Sequence, residues 1–108
     1  MNNLAQELSR SVVLDDQMRE KIITQYQNRG RKALEIIDQN RVKRYRDFFV
    51  VVGESDEYVV EDEYCSCEDF LRRNLICSHI LAVFIARATG RYELVDLWYY
   101  QDLKGPGN

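Results

Sequence analysis

The chain has 108 residues, 45% apolar and 31% charged, which predicts one globular domain and excludes a disordered segment. A formal net charge of -3 excludes a uniformly basic protein that coats nucleic acid, although a local basic face remains open. Three cysteines, one histidine, no signal-peptide pattern in MNNLAQELSR and no apolar run of membrane-spanning length predict a reducing compartment: cytoplasmic, or nuclear in a eukaryote.

Leu14, Met18, Ile22 and Tyr26 recur every four residues with Ile23 beside them, which predicts an amphipathic helix over 14–28. Asp15 and Asp16 suit the positive end of that helix, and Gly30 is its expected stop. A short second helix, about 32–38, offers Ala33, Leu34, Ile36 and Ile37. From Tyr45 the text becomes aromatic and β-branched, and Gly53-Glu54-Ser55-Asp56 reads as a turn, so a hairpin of about 42–52 and 57–66 is expected. A polar and basic stretch, 68–74, leads to an apolar segment, 80–86, which reads as a buried helix closed by Gly90. Residues 92–103 are expected to form a last helix or a packed extended segment, and 105–108 to fray.

Charge is strongly segregated. Residues 29–46 carry seven basic and two acidic side chains, net +5, whereas 47–69 carry nine acidic and none basic. A polarised surface follows, which the net charge conceals.

All three cysteines and the histidine fall in one short window: Cys65-Ser66-Cys67, nine residues, then Cys77-Ser78-His79. Zinc takes four nitrogen or sulfur donors, and a closed set of three cysteines and a histidine is a structural site. Cys65 and Cys67 at a strand end would share a face, with Ser66 turned away. An i, i+2 pair cannot share a face of a regular helix, so Cys77 should precede the buried helix and His79 lie in its first turn, with Ser78 as N-cap. Cys65, Cys67, Cys77 and His79 are therefore the expected ligands of one Zn2+. Four protein donors leave no open coordination position, and no other nucleophile–base set is present, so neither an enzyme nor a small-molecule substrate is expected.

The spacing CxC-x9-CxH, after a hairpin and opening an apolar helix, resembles the SWIM zinc finger. The resemblance rests on Tyr58 to Phe70 and Ile76 to Val83 and covers about residues 40–88; Ser78 stands where many members have lysine. It implies the same four ligands and a zinc-built platform for protein or DNA contact. The text Ala33 to Asp38 also resembles the helix before the hairpin in the small SWIM subunits of Shu-type recombination complexes. That likeness implies a RecA/Rad51-family paralogue as partner and a role in DNA recombination and repair. The expected fold class is α+β: a helical region over 1–39, the zinc finger over 40–90 and a C-terminal aromatic segment over 91–108, all in one compact domain.

Two surfaces are candidates for partners. Leu94, Leu97, Trp98, Tyr99 and Tyr100 carry the residue types that anchor protein interfaces, for a protein partner or a second copy of the chain. The Leu14–Met18–Ile22 stripe is a further option, with core packing as its alternative. Arg41, Lys43, Arg44, Tyr45 and Arg46, extended by Arg72 and Arg73, are candidates for DNA contact, as in a transcription or transposition protein.

Overall fold

The computed structural model describes residues 13–53, 56–61, 64–73 and 75–98. Tyr99, Tyr100, the 105–108 tail and the turn residues Glu54 and Ser55 lie outside them.

Two helices that pack against one another open the described chain, α1 (Asp16–Tyr26) and α2 (Asn28–Asp38). Asp15 caps α1 by accepting the Met18 N–H at 2.9 Å, and Asp16 adds negative charge to the first turn. The break between the helices falls at Gln27, whose φ of 55° lies in the left-handed region. Gly30 was the expected stop, but it sits inside α2 and is buried. Its role is steric: a Cβ there would lie 2.6 Å from the Ile22 carbonyl oxygen, so only glycine lets the two backbones approach. The stripe of α1 faces inward. Ile22 is fully buried, and Leu14, Met18, Ile23 and Tyr26 pack against the core.

The expected hairpin is a meander. Strands β1 (Val42–Arg44), β2 (Phe49–Val52), β3 (Glu57–Glu61) and β4 (Tyr64–Cys65) pair antiparallel in succession. Residues 42–52 were expected to form one strand, but they fold back between Arg44 and Phe49, where the Tyr45 N–H donates to the Phe48 carbonyl at 2.9 Å. The stretch 68–74, expected as a polar connection, contains helix α3 (Glu68–Arg73). Helix α4 (Ser78–Thr89) follows, ending at Gly90 with φ 75° as anticipated. The C-terminal aromatic segment then adds β5 (Glu93–Leu94), parallel to β1, giving sheet order β4-β3-β2-β1-β5.

Helix α4 is the centre of this α+β fold. Ile80, Leu81, Ala82, Val83, Ile85 and Ala86 are buried, because one side meets α2 and the other meets the inner sheet face at Val42, Val51 and Val60. Val50 and Tyr45 are also buried but lie outside that cluster. Among the described residues no helix is long and apolar enough to cross a membrane.

Two predictions follow from this packing. Gly30→Ala should lower stability by ~1–3 kcal/mol through overpacking against Ile22, against the ~1 kcal/mol that alanine gains in an open helix. A urea midpoint equal to or above that of the parent chain would contradict the close approach. Arg19 clasps Asp38 with two hydrogen bonds, 2.7 and 3.1 Å, and this holds the Asp38 carboxyl below its ordinary value. Because the folded value is depressed, the pair stabilises above the unfolded carboxylate value, about 4, and the stabilisation is lost as pH falls through the folded value. Both side chains are partly exposed, so Arg19→Ala should cost only ~0.2–1 kcal/mol at neutral pH and nothing in strong acid. Denaturant midpoints at the two pH values check this.

Candidate metal centre

Cys65 pairs with Val60 in the β3–β4 ladder, so its thiol lies on the buried side of the sheet. The chain leaves the ladder at Ser66, which still serves β3: its N–H donates to the Val59 carbonyl and its Oγ accepts the Val59 N–H, each at 3.0 Å.

Cys67 and Cys77 are then presented by the same local device. Each stands immediately before a helix. Cys67 Sγ accepts the Phe70 N–H at 3.4 Å, and Cys77 Sγ accepts the Ile80 N–H at 3.5 Å. Each carbonyl accepts the N–H four residues on, from Leu71 and Leu81. Both sulfurs therefore sit at the positive ends of helices, which favours the thiolate. Ser78 was the expected N-cap of the buried helix. The cap is Cys77, whose longer C–S bonds bring the sulfur to the third amide while keeping it inside the fold.

His79 lies in the first turn of α4, with Nδ1 3.7 Å from Cys65 Sγ and 3.9 Å from Cys77 Sγ. Its ring stacks on Tyr58, centroids 4.3 Å apart and planes 25° from parallel. One donor atom from each of the four residues lies within 4.8 Å of all the others. Donors ~2.0–2.3 Å from a tetrahedral zinc lie ~3.5–3.8 Å from one another, so the set needs only slight contraction to close on the ion.

Residues 48–88 match the SWIM zinc finger. The chain carries a SWIM zinc-finger domain. An uncharacterized protein of Archaeoglobus fulgidus is 45% identical over 87 residues, covering 76% of each chain, so the two belong to one family. No solved structure matches.

The SWIM finger and its donor cluster support a structural zinc ion, which Cys65, Cys67, Cys77 and His79 would hold. Without a cation, three buried thiols cannot all ionise, because like charges repel and burial disfavours each charge. Cys77 is the thiol pulled down: Cys65 donates to it, outweighing burial, and His79 and the Ile80 amide add to the effect. Cys65 is pushed up by that same bond and by burial, and Cys67 is pushed up chiefly by burial. A divalent ion removes this conflict. It also links a strand end to two helix starts, so its binding energy is folding energy.

Two aromatic residues of the matched motif, whose roles the motif alone does not give, support the site. Tyr58 packs on the histidine, and Phe70 packs its ring edge-on against Tyr64, centroids 5.5 Å apart, steadying the loop between the ligand pairs. Strand alternation carried a signal for the first, since Tyr58 lies two residues before Val60, the partner of Cys65.

The basic residues are dispersed. Arg41 donates to the Val52 carbonyl at 3.1 Å, and Tyr45 is 3% exposed. Arg46 pairs with Asp96 at 2.9 Å. Arg44 lies over both Phe49 and Tyr92 and donates to the Tyr92 hydroxyl at 3.2 Å. Lys43, next in the strand, points to the opposite sheet face. Arg73 shares Asp69 with Arg29, and Arg72 is exposed on α3. Of the C-terminal candidates, Leu94 is 69% exposed, Leu97 39% and Trp98 43%.

The SWIM finger should bind one zinc per chain, and a strong chelator should abolish the helical signal of α3 and α4; metal analysis with circular dichroism checks both. Tyr58→Ala should weaken zinc at least about tenfold, because the ring that orients the ligand is lost. Competition with a chromogenic chelator measures it, and unchanged affinity would show that the stack is incidental.

Proposed function

We propose that this SWIM protein is a non-catalytic adaptor in DNA recombination and repair, acting inside the cell, and that a RecA-family recombinase paralogue is its partner. The observation that carries the reading is the C-terminal strip. Beyond α4 the chain adds β5 to the sheet edge and leaves Leu94, Leu97 and Trp98 on the surface. The Arg46 N–H donates to the Leu97 carbonyl at 3.0 Å and the Val95 N–H to the Arg44 carbonyl at 2.8 Å, so the strip is held against a rigid support. Large apolar and aromatic groups held in this way are suited to anchoring a partner. The closed donor set at the zinc supports a structural role for the ion.

Direct DNA contact is the second reading, and Arg44 is the observation that favours it. Its guanidinium is exposed and oriented by two rings and a hydroxyl, suited to a phosphate or a base face.

Tagged zinc-loaded protein in its native cell should co-purify with a RecA-family protein, and Trp98→Ala should reduce the yield without loss of zinc. Recovery of transcription or transposition proteins instead would overturn the adaptor reading. Salt-titrated binding to single- and double-stranded DNA tests the second reading: Arg44→Glu should weaken binding and lower the salt slope by about 1. Equal slopes would remove Arg44 from any DNA surface.

A further inference from the structure

Helix α3 uses only part of its circumference. Phe70 faces inward against Tyr64 and the core, and Asp69 and Arg73 face Arg29. At about 100° per residue, Leu71 falls on the flank away from Asp69, and Glu68 and Arg72 fall opposite Phe70. All three are exposed, Leu71 at 60%, and Leu75 just beyond the helix is also 60% exposed. An outward face thus combines one bare leucine, Leu71, with one acid and one base a helical turn apart. Neither the zinc site nor the C-terminal strip uses it. Exposed apolar groups gathered this way mark contact surfaces.

We propose that this face is the interface of a two-fold homodimer, with α3 of a second copy laid antiparallel across it. Charge order identifies the occupant. The helix reads acidic first and basic last, Glu68-Asp69-Phe70-Leu71-Arg72-Arg73. An antiparallel copy brings Glu68 beside Arg72 of the second copy, and the axis repeats the pair, while the two Leu71 side chains meet between them. Self-complementarity of this kind is what an isologous contact requires. Asp69 does not oppose it, because its charge is already met by Arg29 and Arg73 of its own chain. A six-residue helix covers little area, so the association is weak and concentration-dependent. Cys67 anchors the start of α3, so the interface belongs to the zinc-loaded chain.

Sedimentation velocity on the zinc-loaded full chain, from ~1 µM to ~1 mM, tests the proposal. The mass should rise from 12.8 kDa toward twice that value, and Leu71→Asp should weaken the dimer at least about tenfold. Two charge reversals at exposed positions guard against misfolding of that variant. Glu68→Arg alone and Arg72→Glu alone each oppose like charges twice across the axis, and each should dimerise at least about tenfold more weakly. An equimolar mixture of the two restores both unlike pairs and should restore the dimer. Pairing within one helix cannot produce that rescue. A monomer at all concentrations, a dimer indifferent to the reversals, or a mixture without rescue overturns the proposal. So does a monomer that uses Leu71 to bind a different protein.

Discussion

Everything near the sheet edge depends on three sulfurs and one imidazole nitrogen being held within reach of one another in the interior. Thiolates so close together repel one another, and burial leaves each of their charges poorly solvated. The fold meets the first difficulty with two helix starts, whose Phe70 and Ile80 amides point at Cys67 and Cys77. A divalent ion meets the second. The same ion would join β4, α3 and α4. Helix α3 has no buried residue of its own, so its position is set by Cys67, the Phe70 ring and the Asp69 carboxylate.

Away from the metal, the core is an ordinary hydrophobic one built around α4, with α2 on one side and three valines of the sheet on the other. Charge is spent differently from how it is spelled. The basic run over 29–46 reads as one patch, yet its members separate: Arg29 reaches Asp69, Arg41 a strand carbonyl, Arg46 Asp96, and Arg44 an aromatic pair. Acidic residues lie on β3 and around the metal loop, and Asp69 of that loop pairs with Arg29 of the basic segment. Segregation along the sequence therefore becomes pairing in space as often as it becomes a surface field.

The zinc ligands, the α+β class, the inward stripe of α1, the buried helix and its glycine cap were legible in the chain. Each depends on local spacing: donor intervals, a four-residue apolar repeat, an unbroken apolar run, a left-handed terminus. The helix break was misplaced because Gly30 looks like a stop, whereas its missing side chain serves the contact with Ile22. The fold-back at residues 45–48 was hidden because Tyr45 and Phe48 continue the aromatic pattern and Arg46-Asp47 between them contains neither glycine nor proline. Helix α3 was hidden because six residues without a buried face carry no periodic signal.

The sequence by itself pointed to the chemistry of the centre, since a tetrahedral metal site accounts for three cysteines and one histidine at these intervals. It determined the faces of the long helices too, because burial follows the helical period. Tertiary structure decided which charges meet, that Cys77 rather than Ser78 caps α4, that Tyr58 lies on His79, and that the C-terminal segment joins the sheet beside β1. Those outcomes depend on register and close approach between segments distant in sequence, and no local period records either.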